Sequence, residues 1–237
     1  MDLGLKDKVV VVTGNARGIS EGVVRVLSGE GAIVVIVGRN ETDNRKLQLE
    51  MEASGGRAFS VRAELNNPKD CENAVQAIVK EFGHIEGLVN NTCVNDGISL
   101  EKGNDDRFMK SLHNNLVHYY LMAHFALPYL KSSKGAIVNI SSKTVEAGRE
   151  NGSAGAAANG GRNALTREWA VELLKYGIRV NSVIVAESLS LENRMTNAAD
   201  IAHMTAFLLS GKSSHTTGQL IHVDGGYVHP DRALANA

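Results

Sequence analysis

The chain has 237 residues, of which 43% are hydrophobic and 22% are charged, and its formal net charge at pH 7 is −1. This length and composition favour a single folded domain over residues 1–237 and exclude an intrinsically disordered chain. A charge so close to balance gives no electrostatic reason to bind nucleic acid or an anionic membrane, so we expect neither partner.

The cysteine and histidine content points to a plain intracellular protein. Cys71 and Cys93 are far apart in the sequence, which favours free thiols in a reducing compartment. The eight histidines show no ligand spacing, so we expect no metal site. The charged N-terminus does not resemble a signal peptide, and no apolar run reaches the roughly 20 residues that span a bilayer. We therefore expect a cytoplasmic location.

Short apolar runs alternate with helical patterns along the whole chain, which is typical of βαβ units on a parallel sheet. The first run, Val9 to Val12, consists of valine alone, as expected of a strand covered on both faces. The seven predicted strands are Val9–Val12, Ile33–Val37, Ala58–Val61, Gly87–Val89, Ala136–Ile140, Ile178–Ile184 and Leu220–Val223.

Helical periodicity occupies the segments between the predicted strands. Ile19, Val23 and Leu27 fall on one face of a helix, and Leu165, Trp169 and Leu173 do the same. Right-handed crossovers place such helices on both faces of the sheet. The predicted fold class is therefore α/β, a doubly wound parallel sheet (Rossmann fold) of about seven strands.

A glycine turn joins the first strand to the first helix. Such a turn lets backbone amides face a pyrophosphate at the positive end of the helix, although an ordinary structural turn is the alternative. Its place directly after the first strand favours nucleotide binding. The candidate residues in this turn are Gly14, Asn15, Arg17, Gly18 and Ile19.

The turn resembles the Thr-Gly-x-x-x-Gly-x-Gly motif of the short-chain dehydrogenase/reductase family. Gly14 and Gly18 match that motif, whereas Ser20 replaces its last glycine and is expected to crowd the diphosphate modestly. The resemblance runs nearly end to end. Asn90 and Asn91 match the family's Asn-Asn-Ala-Gly segment beside the cofactor, and Glu64 stands where an aspartate usually lies near the adenine.

Charge at the end of the second strand decides between the two nicotinamide dinucleotides. An acidic residue there binds the ribose hydroxyls of NAD, whereas arginine favours the 2′-phosphate of NADP. The chain has Arg39 at this position, and Arg17 lies in the glycine turn. We therefore expect NADP, with NAD as the alternative cofactor, unless both arginines are merely solvated surface residues.

The resemblance implies a tyrosine that transfers the proton, a lysine whose charge lowers the pKa of that tyrosine, a serine that holds the substrate oxygen, and an asparagine. Ser142 and Asn115 fit the last two positions and are the candidate catalytic residues. Counting thirteen residues on from Ser142 leads to Gly155, and four more to Asn159, so the acid–base pair is absent. The alternative role of Ser142 is a strand-end hydroxyl that binds a loop amide.

A second departure follows the sixth strand, where the family carries a long substrate lid. Only about ten residues, 187–196, separate that strand from the next helix, so either the site is open or a lid segment is absent from this sequence. The segments around Asn95–Gly97, His118–Tyr120 and Ser141–Thr144 look like those of L-fucose-type sugar dehydrogenases.

The resemblance implies an NADP-dependent oxidoreductase that acts on a small-molecule substrate, a sugar or another secondary alcohol or carbonyl. Because Gly155 and Asn159 replace the acid–base pair, we expect very low turnover, and the alternative is a nucleotide-binding scaffold without activity. A hydrolase that uses Ser142 is a weaker idea, since no partnered histidine accompanies it. The resemblance also implies a homo-oligomer, a dimer or a homotetramer.

Overall fold

Seven parallel strands form one sheet in the computed structural model, which describes residues 2–148, 151–186 and 195–226. The strands are β1 Val9–Thr13, β2 Ile33–Gly38, β3 Arg57–Arg62, β4 Gly87–Asn90, β5 Ala136–Ser142, β6 Arg179–Val185 and β7 Leu220–Val223. Their order across the sheet is β3-β2-β1-β4-β5-β6-β7. The sequence therefore predicted the doubly wound architecture and all seven strands correctly.

Seven α-helices connect the strands in the described part of the chain. They are α1 Ile19–Gly29, α2 Glu41–Ala53, α3 Pro68–Phe82, α4 Asp105–Leu112, α5 His118–Ser133, α6 Ser153–Glu172 and α7 Ala198–Leu209. Helix ends follow local chemistry. Asn67 caps α3 ahead of Pro68, and Gly83 ends this helix in the left-handed conformation at φ 79°.

The two faces of the sheet carry separate apolar cores. Val9 and Val11 of β1 pack among residues of α3, α5 and α6, whereas Val10 and Val12 pack among residues of α1, α2 and α7. This division follows from the alternation of side chains along a strand. Both faces are covered, which explains why the strands read as continuous apolar runs.

The chain reverses its direction of winding between β1 and β4, because β2 and β3 lie on one side of β1 and the later strands on the other. In open α/β sheets, ligands bind at the carboxyl ends of the strands beside such a switch point. The predicted lid segment falls mainly on residues 187–194, which lie outside the described residues. No helix within the described ranges combines the length and apolar character needed to span a bilayer.

Candidate active site

The glycine turn leads into a helix end whose amides lack a side-chain cap. Gly18 precedes α1 with φ 57°, a conformation that glycine adopts without strain, and no side chain of the described residues accepts from the first amides of the helix. These amides and the helix dipole favour an anion at this place. The structure thus leaves the amide end of α1 free to bind a phosphate group.

Ser20 is accommodated inside the turn. A Cβ atom built on Gly14 would lie 2.6 Å from the Ser20 hydroxyl, so the serine fills space that the glycine leaves. The Ser20 Oγ donates to the Arg17 carbonyl at 3.0 Å, and the residue is buried. The Ser20 hydroxyl therefore forms its hydrogen bond within the turn.

The two candidate arginines lie in different electrostatic settings. The Arg17 guanidinium forms an ion pair of 2.8 Å with Asp43, in the first turn of α2, although the Arg17 side chain stays 73% exposed. Arg39 is exposed and has no hydrogen-bond or ion-pair partner among the described residues. Arg39 is thus the cation without a carboxylate partner at the carboxyl end of β2.

Two other predicted cofactor residues lie at the same edge of the sheet. Glu64 follows β3 and is exposed, and its carboxylate accepts from the Asn66 amide at 3.4 Å. Asn90 ends β4 fully buried, and its Nδ2 donates to the Asn139 Oδ1 at 3.1 Å. The Asn90 side chain therefore supports the sheet directly, and a contact with a cofactor stays a prediction for both residues.

Asn115 lies in a π-helical turn, His113–Val117, inserted between α4 and α5. Its side chain is buried, with Oδ1 accepting from the Val94 amide at 2.6 Å and Nδ2 donating to the Ser111 Oγ at 3.2 Å. Turns of this kind are frequent at functional sites. The amide side chain holds the loop after β4, so its described role is to fix that loop.

Ser142 is the last residue of β5 and is half-buried. Its Oγ accepts from the Thr144 amide at 3.4 Å, a long bond that leaves the hydroxyl hydrogen available to a further acceptor. The loop-amide role and the substrate-orienting role expected of this serine are thus compatible.

Gly155 and Asn159 lie one turn apart near the start of α6. A Cβ atom built on Gly155 meets no atom of the described residues within 4 Å, so these residues leave space where the family resemblance places a tyrosine. The Asn159 Nδ2 donates to the Gly155 carbonyl at 2.8 Å and to the Thr144 Oγ1 at 3.2 Å. The asparagine side chain therefore joins α6 to the segment that follows Ser142.

Arg162 is the residue of this site that sequence reasoning missed. It is only 3% exposed, and its guanidinium donates to the Asn115 carbonyl at 2.7 Å and to the Asn159 Oδ1 at 2.9 Å. The available signal was its spacing, three residues after Asn159 and seven after Gly155, on a helix stretch otherwise rich in glycine and alanine. This arginine connects two of the predicted positions.

Two buried aromatic residues complete the surroundings of Arg162. The Tyr119 hydroxyl donates to the Ile140 carbonyl at 2.8 Å, and the guanidinium lies 4.5 Å from the centroid of the Tyr119 ring. Burial raises the pKa of Tyr119 above its ordinary value. Because its hydroxyl is buried and donates to a backbone carbonyl, Tyr119 is a packing residue and is not placed to act as a proton donor in the site.

The buried imidazole of His118 is expected to make the stability of the fold fall in acid. Burial, followed by the charge of Arg162, lowers the pKa of His118 to about 3, from 6.5. Below pH 6.5 the unfolded chain binds a proton that the folded chain does not. As the pH decreases from 6.5 to about 3, the free energy of unfolding should therefore fall by up to about 1.4 kcal/mol per pH unit.

The variant His118→Phe should flatten this part of the pH profile, because phenylalanine keeps an aromatic ring at this position and binds no proton. Urea unfolding at several pH values measures the effect. His203→Asn, an exposed change on α7, serves as the control and should leave the slope unchanged. An unchanged slope in His118→Phe would show that other groups cause the acid sensitivity.

The chain matches the protein family model described as "short chain dehydrogenase" over residues 8–196. A second model, described as "Enoyl-(Acyl carrier protein) reductase", matches residues 184–228. The first match covers well over half of the chain, and the fold and the glycine turn agree with it. The chain therefore belongs to the short-chain dehydrogenase family.

Curated relatives of this chain include two proteins named as dehydrogenases. The chain is 34% identical to L-fucose dehydrogenase of Oryctolagus cuniculus, over 74% of this chain and 61% of that protein, so it spans less than two thirds of that relative's length. It is 32% identical to trans-4-hydroxycyclohexanecarboxylate dehydrogenase of Sinomonas cyclohexanicum, over 93% of this chain and 92% of that protein.

Solved structures show the same fold. The crystal structure of Cj0485 dehydrogenase has a TM-score of 0.91 and 35% sequence identity, covering 98% of each chain. The crystal structure of NADH-dependent reductase A1-R′ complexed with NAD has a TM-score of 0.90 and 27% identity, covering 97% of this chain and 100% of that one.

Proposed function

We propose that this chain binds a nicotinamide dinucleotide at the carboxyl ends of β1, β4 and β5 and acts slowly as an oxidoreductase on a secondary alcohol or carbonyl. One observation carries the proposal, the uncapped amide end of α1 behind the Gly14–Gly18 turn. Its position at the switch point of the sheet matches the place where such folds bind dinucleotides.

The residues at this edge fit the cofactor in charge and in space. The α1 amides offer donors to the diphosphate, and Arg39 offers a cation at the ribose end. A bound nicotinamide ring would supply hydride-transfer chemistry. The chain's own part is then to orient the substrate oxygen through the Ser142 hydroxyl, beside the loop that Asn115 holds.

The relatives support a ring alcohol as substrate. One is named for L-fucose and another for trans-4-hydroxycyclohexanecarboxylate, both hydroxylated ring compounds. A sugar or a similar secondary alcohol is therefore our proposed substrate class. Slow turnover follows from Gly155 and Asn159, because losing a general acid–base group costs about 10²–10⁴-fold in rate.

NADP is our proposed cofactor, with Arg39 as the cation that binds its 2′-phosphate. Arg17 contributes less than the sequence indicates, because Asp43 already neutralises part of its charge. Fluorescence titration with NADPH and with NADH tests both the binding and the preference. Binding of neither dinucleotide would overturn the proposed function.

Arg39→Ala should weaken NADPH binding by about tenfold or more and change NADH binding little, since it removes a charge-assisted contact to phosphate. Arg45→Ala, which removes an exposed arginine from the body of α2, is the matched control and should leave both affinities unchanged. Asp43→Asn should tighten NADPH binding by releasing Arg17. Equal losses for both dinucleotides in Arg39→Ala would contradict the NADP assignment.

A second candidate function is a nucleotide-binding scaffold without catalysis. The bonds of Asn159 to Thr144, Gly155 and Arg162 favour it, because they occupy the side chain at the lysine position with structural contacts. Dinucleotide-linked oxidation of sugars by the unmodified chain, measured at high enzyme concentration, separates the two. Slow but saturable turnover supports the oxidoreductase.

We also propose a cytoplasmic, single-domain protein that forms a dimer or tetramer. The two cysteines, Cys71 and Cys93, are unpaired, as is usual in a reducing compartment. Large exposed apolar side chains on or beside α5 and α6, namely Tyr120, Val171 and Leu174, offer surface for self-association. Light scattering measures the assembly directly.

A further inference from the structure

Arg162 carries a buried positive charge without a carboxylate partner. The residue is 3% exposed, and no acidic side chain in the described part of the chain forms an ion pair with it. Guanidinium groups stay protonated inside proteins. An unpaired buried charge is costly to folding, so such a residue is expected to have a role beyond packing.

The three donor contacts of Arg162 join three elements of the candidate active site. Its Nε donates to the carbonyl of Asn115 in the π-helical turn at 2.7 Å. Its Nη1 donates to the carbonyl of Ile140 in β5 at 3.3 Å and to the Asn159 Oδ1 of α6 at 2.9 Å. One side chain thus fixes the turn that carries Asn115, the strand that ends in Ser142 and the start of α6.

The titratable groups that face the guanidinium do not cancel its charge. His118, whose pKa burial lowers, is neutral at physiological pH, and so is Tyr119, whose pKa burial raises. The Nη2 atom of Arg162 is buried and has no hydrogen-bond partner. Among the described residues, therefore, no carboxylate pairs with this guanidinium, and its positive charge acts on the site without one.

The guanidinium lies on the face of α6 that also carries Gly155. Residues 155, 159 and 162 lie on one face of α6, and side chains on a helix lean toward its N-terminus. The guanidinium reaches the Asn159 Oδ1, and the Asn159 Nδ2 reaches the Gly155 carbonyl at 2.8 Å. The arginine is thus linked to Gly155 through one intervening amide.

We infer that Arg162 is a positioning residue that supplies the site with a fixed positive charge, held beneath Asn159 and favouring negative charge on an oxygen or sulfur atom above Gly155. In alcohol oxidation this charge would stabilise an alkoxide-like oxygen, and that consequence rests on the proposed function. The charge itself does not, because it acts on any ionisable group placed in that space.

A thiol introduced at position 155 measures the charge without cofactor or turnover. Gly155→Cys has open space for its side chain. The background carries Cys93→Ser to remove the exposed thiol, while burial raises the pKa of Cys71 to about 12 and keeps it unreactive. The pH dependence of alkylation by iodoacetamide gives the pKa of the new thiol.

Ala157→Cys is the matched control, since this residue lies near the same helix end but is exposed. The helix dipole lowers the pKa of both thiols. We expect the thiol at 155 to have a pKa at least one unit below the thiol at 157, with contributions from Arg162 and from the nearer helix N-terminus. Equal values at the two positions would overturn the inference.

Substitution of Arg162 in the Gly155→Cys background shows how much of the difference in thiol pKa comes from the charge of Arg162. Arg162→Gln keeps a hydrogen-bond donor and removes the charge, and should raise the thiol pKa by about one unit. Arg162→Lys keeps the charge and should preserve the low pKa. An unchanged thiol pKa in folded Arg162→Gln overturns the inference, and equal thiol pKa values at positions 155 and 157 overturn it whether or not that variant folds. These thiol pKa measurements use no dinucleotide, so they test the inference even if the chain binds none.

Discussion

The double variant Gly155→Tyr/Asn159→Lys should oxidise secondary alcohols about 10²–10⁴-fold faster than the parent chain, because it restores a general acid–base pair. A phenol has an ordinary pKa of about 10, and a neighbouring cation lowers it toward working pH. The open space at Gly155 admits the tyrosine Cβ without a clash. Absorbance of the reduced dinucleotide measures the rate.

The single variants show how much of the increase in oxidation rate comes from each of the two positions. The lysine introduced by Asn159→Lys would face the Arg162 guanidinium, which Asn159 now binds through its Oδ1, so the new side chain must turn away from that charge. If Arg162 already provides the site's cation, Gly155→Tyr alone should recover part of the rate, whereas Asn159→Lys alone should recover none. Ala157→Tyr, an exposed change on the same helix, is the control and should have no effect.

No gain in a double variant that still binds dinucleotide would contradict the view that the acid–base pair is the missing part. The departure from the family at residues 187–196, where the sequence predicts a shortened lid, would then become the leading explanation. No gain together with lost dinucleotide binding would instead locate the damage in the cofactor site.

Gly38→Ala should destabilise the fold by about 1–3 kcal/mol or more and weaken dinucleotide binding, because it overpacks the contact between β2 and the glycine turn. A Cβ atom built on Gly38 would overlap the Gly14 carbonyl oxygen, which is backbone and has no rotamer to change. The turn must therefore move, and the α1 amides move with it. Chemical denaturation and cofactor titration measure the two effects.

Gly29→Ala is the matched control for this substitution. Gly29 is the last residue of α1, and a Cβ atom there meets nothing within 4 Å. Alanine is the better helix former, so this change should be neutral or stabilising by up to about 1 kcal/mol. Normal stability and cofactor affinity in Gly38→Ala would show that the turn can shift without harm to the site.

The strands and the turn were predictable because their signals are local. Four consecutive valines from Val9 to Val12 form a strand whose two faces pack in two different cores, and Gly14 and Gly18 follow directly. The positions Gly155 and Asn159 were also found by counting along the chain from Ser142. Each of these inferences uses residues close together in sequence or a fixed family spacing.

The contacts of the arginines were not predictable from such spacing. Arg17 pairs with Asp43 across the gap between α1 and α2, and Arg162 donates to the carbonyl of Asn115, 47 residues earlier. The π-helical turn that carries Asn115 also lies inside a continuous helical pattern that periodicity reads as ordinary helix. The spacing of Arg162 from Asn159 marks the residue, but its contacts and the π-helical turn depend on how the elements pack, which the local sequence does not show.

The sequence by itself determined a doubly wound sheet and the glycine turn between β1 and α1, since hydrophobic period and residue identity suffice for these. A phosphate at that turn and the loss of the acid–base pair at Gly155 and Asn159 stay predictions. Only the tertiary structure decided that the Ser20 hydroxyl donates to the Arg17 carbonyl and that Arg17 forms an ion pair with Asp43. It also decided that the buried Arg162 donates to the Asn159 side chain. The reason is physical: hydrogen bonds and ion pairs act over a few ångströms in space, and folding brings those partners together from distant parts of the chain.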